Sequence, residues 1–274
     1  MINLITMAGR GKRFSEQGYL LPKPLIPING VPMIWKVIDC LPKARKWIFI
    51  VRQEHIDEYN IDKVIKQRIP EAIITIDKDL LGGASIFCAE QYIPKDEDVF
   101  IAGCDMGFIY NKKNFENLKE NKNYDCILWT FTKDKRIKDK PNSWGYTVLE
   151  EDKLTINNMS VKIPISDNPF NDHCVAATFW LRSGDSLYKS IRKMMEEEIK
   201  TNNEYYLDNL PLALKLLGKN SCIFDVDLLI GWGTPKEFHE FEKICFFYKF
   251  KKLSDLNISE NEIKLWEEYF IENA

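Results

Sequence analysis

At 274 residues the chain exceeds the roughly 150 of an average domain but falls short of two, so one large domain with an appendage is expected. Hydrophobic residues at 45% and charged residues at 29% exclude wholesale disorder or a fibrous repeat. Lys+Arg at 38 against Asp+Glu at 41, a net charge of −3, excludes the broad basic footprint of a nucleic-acid binder, and no apolar run approaches the roughly 18 residues of a membrane span.

Met1 to Met7 is a short apolar run broken by Gly9, Arg10 and Gly11, which predicts a buried strand entering a glycine loop. The abrupt change into Gly and basic residues is unlike a secretory leader, so a cytoplasmic location is expected. Val31 to Leu41 has helical apolar spacing, and Trp47 to Val51 is the kind of apolar run that interior parallel strands show. A helix over Asp62 to Arg68, a strand over Ala72 to Ile76, a helix over Ala84 to Gln91 and a strand over Asp98 to Ala102 continue the alternation. The expected fold class is therefore α/β, a three-layer α/β/α sandwich with a mixed, mostly parallel sheet.

After Asp105 the strands crowd together: Asp125 to Thr132, Gly145 to Leu149, Leu154 to Ser160 and Cys174 to Leu181, with Lys113 to Glu120 helical among them. Helices over Ser186 to Lys200 and Tyr205 to Leu217, a strand over Cys222 to Val226 and a helix from Pro235 follow. Ser259 and Glu262 make a capping box for a last helix, Glu260 to Glu272. We expect a domain over residues 1–246 and a helical extension over 247–274. The basic run Lys133 to Lys140 is diluted by aspartates and reads as a solvated loop. Seven cysteines, without a C-x-x-C and with only three histidines, read as buried reduced thiols.

The strongest chemical signal is Met7-Ala8-Gly9-Arg10-Gly11-Lys12-Arg13-Phe14 followed by Pro22-Lys23-Pro24. Glycines let backbone N–H groups approach a polyphosphate, and Arg13 and Lys23 bring positive charge to the same end of the sheet. Phe14 stands where a dinucleotide fingerprint needs its third glycine, and no Gly-Lys-Ser/Thr follows for a Walker loop.

With Leu81-Gly82-Gly83-Ala84-Ser85, Gly103-Cys104-Asp105-Met106, Trp144-Gly145-Tyr146 and Val161-Lys162-Ile163-Pro164, this set resembles the sugar-nucleotidyltransferase (nucleotide-sugar pyrophosphorylase) family over roughly residues 1 to 240. The resemblance implies the GT-A-like nucleotidyltransferase fold, with Mg²⁺ as cofactor. Its substrates would be a nucleoside triphosphate and a small phosphorylated acceptor. By the same resemblance Arg13 and Lys23 are catalytic, and Ala8, Gly9, Gly11, Asp77, Gly82 and Gly83 hold the nucleotide. Gly145, Lys162, His173 and Glu204 line the acceptor side, with Asp208 four residues from Glu204 on one helical face. Asp105 is the metal ligand. The family's second aspartate falls on Gly231 here, so Asp227, the nearest upstream carboxylate, is the candidate; its lysine before a proline is likewise displaced, to Lys162. Further segments, Ser143 to Tyr146, Pro164 to Pro169 and Trp232 to Pro235, resemble a branch found in capsule and surface-glycan gene clusters. That branch includes cytidylyltransferases acting on L-glutamine phosphate.

The chemistry implied is attack of an acceptor phosphate oxygen on the α-phosphorus, with pyrophosphate leaving, which demands positioning and charge neutralisation more than covalent help. CTP is the favoured donor, because Asp77 stands where similar thymidylyl enzymes carry a glutamine, and a carboxylate only accepts, matching the cytosine amino group. No nucleic-acid or membrane partner is expected, and a homo-oligomer is left open. The rival readings are a GT-A glycosyltransferase using Asp225-Val226-Asp227 as its metal motif and a non-catalytic nucleotide-binding regulator.

Overall fold

The apolar runs of the N-terminal half become interior strands because side chains on both of their faces need cover. The computed structural model describes residues 1–78 and 82–272. In chain order the elements are β1 (Ile2–Thr6), α1 (Lys12–Ser15), the small hairpin β2 (Pro27–Ile28) and β3 (Val31–Pro32), α2 (Met33–Cys40), β4 (Lys46–Val51), α3 (Gln53–Tyr59), α4 (Ile61–Arg68), β5 (Ile73–Ile76), β6 (Val99–Ala102), β7 (Met106–Ile109) and α5 (Lys112–Glu120). Then come β8 (Cys126–Phe131), α6 (Lys135–Asp139), β9 (Gly145–Leu149), β10 (Ile156–Val161), β11 (Cys174–Leu181), α7 (Gly184–Glu196), α8 (Leu210–Leu216), β12 (Ser221–Asp225), β13 (Leu228–Gly231), α9 (Pro235–Lys249) and α10 (Glu260–Glu272).

β1 pairs in parallel with β4 and β6, β4 with β5, and β8 with β12. β11 runs antiparallel between β6 and β8, so β1, β4, β5, β6, β8 and β12 share one direction. Their C-terminal ends define a single edge, where open α/β sheets gather ligands. The β9–β10 hairpin joins at the start of β11, where Cys174 pairs with Tyr146. Alternation sends Ile5, Phe49 and Trp129 into one core, with Met33, Val37 and Phe115 of α2 and α5. Leu4, Ile48 and Leu128 enter the other, with Leu187, Ile191 and Leu210 of α7 and α8. These are the three expected layers.

Several elements differ from expectation. Gly82–Tyr92 is a 3₁₀ helix, and Tyr205 to Leu217 contains only the 3₁₀ turn Leu207–Asn209 and α8, so Glu204 and Asp208 do not share a helical face. β7 and β13 form an unforeseen antiparallel pair outside the main sheet. The Lys133 to Lys140 run is not a solvated loop: it contains α6, capped by Asp134, and turns Ile137 fully inward. Six of the seven cysteines are buried thiols. Helix α9 continues past residue 246, and Leu253, Trp266 and Tyr269 beyond it pack into the first core.

Candidate functional site

The loop after β1 is anchored by Phe14, buried edge-on against Tyr19 and Phe238. Gly11, at φ +61°, makes the left-handed turn into α1 that a side chain would strain, and its carbonyl accepts the Phe14 N–H. Around Gly9 the space is open, and Gly9, Lys12 and Arg13 are exposed while Ala8 is half-buried. The Pro22-Lys23-Pro24 segment stiffens the next turn, and the burial of Leu25 and Ile26 fixes it to the core.

From that turn Lys23 Nζ donates to Asp105 Oδ2 at 2.5 Å, both side chains being 18% exposed. Burial alone would lower the Lys23 amine, but the Asp105 carboxylate outweighs it and holds the ammonium above its usual range; the Arg13 charge pulls the other way. Arg13, Lys23 and Asp105 are thus brought to one end of the sheet, with Asp105 just beyond the C-terminus of β6.

Gly231 pairs with Met106, next to Asp105. A Cβ at Gly231 would displace the Arg136 guanidinium and the Glu237 carboxylate, so any side chain there, an aspartate included, requires that pair to shift. Arg136, only 16% exposed, is held by Asp134, the Leu229 carbonyl and Glu237. Glu237 also accepts from the Thr234 hydroxyl at 2.8 Å, and its own N–H donates back to Thr234. At Gly233, the space a Cβ would fill is bordered by Asp105 Oδ2 at 2.9 Å and Glu237 Oε2 at 3.5 Å. Asp105 and Glu237 are thus two hard-oxygen donors bordering one point, and Mg²⁺, which keeps most of its waters, needs only one or two carboxylates. Among the described residues no cluster of three or more potential ligands exists. Asp227 is not brought here: the β7–β13 register sets it four residues from Gly231, roughly 13 Å along the strand at about 3.3 Å per residue. Asp225 instead accepts from Thr130 at 2.6 Å and pairs with His173 Nδ1 at 2.8 Å.

A second group lies beside the start of β11. Lys162 ends β10 in the left-handed region at φ +69°, which re-aims the chain so that Ile163, not Lys162, is turned to solvent. Lys162 Nζ donates to the Ser143 carbonyl at 2.6 Å and lies 5.5 Å from the Tyr206 ring centroid. Gly145 is glycine for a steric reason: Asp208 Oδ2 occupies the room its Cβ would need, with Val175 Cγ2 at 3.0 Å. His173 immediately precedes β11, and its carbonyl accepts from the Thr147 N–H at 3.0 Å. Glu204 is exposed and bears on the group through Tyr206, whose phenol is raised by burial and by that carboxylate.

Asp77, the expected base reader, follows β5, and its N–H donates to the Val51 carbonyl at 2.8 Å. Asp79 to Leu81 lie outside the described residues. Gly83 N–H is already donated to Tyr205 O at 2.6 Å, and a Cβ on Gly82 or Gly83 would sit 2.8 Å from that oxygen. These glycines therefore serve close packing on the Tyr205 to Leu207 segment. Glu237 and Arg136 were missed in the sequence; the Thr234-x-x-Glu237 spacing of a capping box was the available signal.

The MobA-like NTP transferase domain family matches residues 3–154. No curated protein matches the chain in sequence. Among solved structures, a nucleoside-diphosphate-sugar pyrophosphorylase from Vibrio cholerae RC9 superposes with a TM-score of 0.70 at 18% identity, covering 89% of this chain and 100% of that one. The inositol-1-phosphate CTP transferase from T. maritima gives 0.68 at 14% identity, covering 98% of this chain and 95% of that one. At such identities the likeness is one of fold.

Proposed function

The chain belongs to the family of MobA-like NTP transferase domains, and from that premise we propose that it transfers a nucleoside monophosphate, CMP by preference, from a triphosphate to a small phosphorylated acceptor, releasing pyrophosphate. The observation that carries this reading is the Lys23–Asp105 pair at the sheet edge, 2.5 Å long and largely enclosed, beneath an open glycine loop that exposes Arg13. The solved CTP transferase of like fold supports the cytidylyl preference, as does the accepting carboxylate of Asp77.

In this reading the Gly9 to Gly11 backbone and Arg13 bind the β- and γ-phosphates, whose developing charge as they leave is the main thing to stabilise. Lys23 neutralises the α-phosphate and holds Asp105 in place between substrates. Mg²⁺, when bound, would neutralise phosphate charge, with Asp105 and Glu237 the residues to hold it. Lys162 orients the acceptor phosphate for in-line attack, a task of positioning. His173, held by Asp225, which in turn accepts from Thr130, closes the far wall of the acceptor side. The acceptor would be L-glutamine phosphate-like or a sugar 1-phosphate, and the product a component of capsule or surface-glycan synthesis.

Pyrophosphate release tests the reading directly. Four nucleoside triphosphates are screened against sugar 1-phosphates and L-glutamine phosphate with and without Mg²⁺. Acceptor-dependent release, greatest with CTP, is expected; sugar transfer from a nucleotide sugar without pyrophosphate release would overturn it.

A further inference from the structure

Asp208 has no role in the transfer as derived, yet it sits inside the acceptor group. It is carried by the Leu207–Asn209 turn, and its carboxyl lies against Gly145 so closely that a Cβ there would displace it. The cation of this group is Lys162, at the left-handed end of β10, whose Nζ donates to the Ser143 carbonyl next to Trp144–Gly145 and lies 5.5 Å from the ring of Tyr206, two residues before Asp208. We propose that Asp208 is the positioning residue that sets how strongly Lys162 holds the acceptor, its carboxylate competing with the acceptor phosphate for the lysine's charge. The inference rests on the acceptor-side reading of Lys162.

The surroundings favour such a competition. Lys162 is the cation whose charge bears on Asp208, Tyr206 and Glu204 belong to the same segment as Asp208, and Gly145 and Val175 opposite are uncharged. Burial pushes the Asp208 carboxyl up to about 6, against the smaller downward pull of Lys162 and of a backbone N–H. The group therefore changes charge in the range where a phosphate monoester gains its second. With Asp208 protonated, Lys162 is available to a phosphate and the carboxyl becomes a donor. With Asp208 ionised, the lysine is partly neutralised and a second anion is repelled.

The magnitude follows from linkage. If ionised Asp208 excluded phosphate altogether, binding at pH 7.5 would be weakened by 1 + 10^1.5, about 30-fold, and at pH 5.5 by only about 1.3-fold. Partial exclusion gives about 3-fold to 30-fold at pH 7.5.

Inorganic phosphate is the probe, titrated calorimetrically into wild type, Asp208→Asn and Lys162→Met. The phosphate's own ionisation affects all three proteins alike, so the wild-type to Asp208→Asn ratio of Kd reports Asp208. That ratio is expected to be near 1 at pH 5.5 and at least 3 at pH 7.5, with Lys162→Met losing this binding component at both. A pH-independent ratio, or tighter binding by wild type at pH 7.5, overturns the proposal while leaving the acceptor pocket standing. Indistinguishable titrations for Lys162→Met and wild type would instead remove the pocket reading, and the proposal with it. Should Asp208→Asn fail to fold, sulfate, a dianion that does not titrate in this range, replaces phosphate as the probe with wild type and Lys162→Met: the Lys162-dependent part of its binding at pH 7 should take up protons, seen as heats that vary with buffer ionisation enthalpy, and no uptake contradicts the competition.

Discussion

Replacing Lys23 with methionine keeps the length of the side chain and removes its charge, leaving Asp105 without its partner at 2.5 Å. Both side chains are 18% exposed, between a surface pair, worth about 0–1 kcal/mol, and a fully buried one, whose breaking costs about 3–5 kcal/mol. An intermediate cost of about 2 kcal/mol corresponds to a fall in Tm of about 4–8 °C for a chain of this size. The pH dependence has a definite sign. Because the Lys23 pKa is raised in the folded state, its contribution is fully present below the ordinary lysine value of 10.5 and is lost only as pH rises through the higher folded value. The Lys23-side deficit of Lys23→Met should therefore be constant between pH 6 and 9. Activity should fall further than stability: in the proposed role of Lys23 at the transferred phosphate, loss of its charge costs about 100-fold to 1000-fold in kcat, or about 2.7–4 kcal/mol. Thermal melts and pyrophosphate release on Lys23→Met, Asp105→Asn and the double variant separate the two effects. Turnover within threefold of wild type in Lys23→Met, or a coupling to Asp105 below about 0.5 kcal/mol, refutes this account of the pair.

Gly231→Ala should lower stability by about 1–3 kcal/mol, because the new methyl displaces an Arg136 guanidinium pinned at Asp134, Leu229 and Glu237; a denaturation midpoint equal to wild type contradicts that packing. Glu237→Gln should weaken Mn²⁺ binding, read by electron paramagnetic resonance, at least tenfold, whereas Asp227→Asn should not change it; the reverse order would put the ion elsewhere. Asp77→Asn should reduce the ratio of kcat/KM for CTP over UTP by about 5-fold to 150-fold, the loss of one discriminating contact worth about 1–3 kcal/mol. An unchanged ratio removes Asp77 from base recognition.

The central parallel strands could be read from sequence because residues buried on both faces leave unbroken apolar runs, as at Trp47 to Val51. The β7–β13 pair could not. Each has only four residues, and their alignment depends on a contact between positions more than a hundred residues apart. The 3₁₀ helix Gly82–Tyr92 shares its apolar spacing with an α-helix, and the tight approach of Gly82 and Gly83 to Tyr205 that accompanies it is tertiary. In the site, glycines, Lys23 and Asp105 were legible as residue types at a strand end. Arg136 was hidden because a charge run reads as solvated until α6 turns one of its members inward. Glu237 was hidden by its local role, since a capping carboxylate also reaches the cradle at Gly233.

Phosphorus NMR of one reaction mixture tests nucleotidyl transfer most directly. With CTP, Mg²⁺ and a phosphorylated acceptor, the account predicts that the acceptor's monoester resonance is replaced by two coupled diphosphate-diester resonances, that pyrophosphate appears in equal amount, and that Lys23→Met leaves the mixture unchanged over the same time. Loss of only the γ-phosphate as inorganic phosphate, with the acceptor resonance intact, would contradict it.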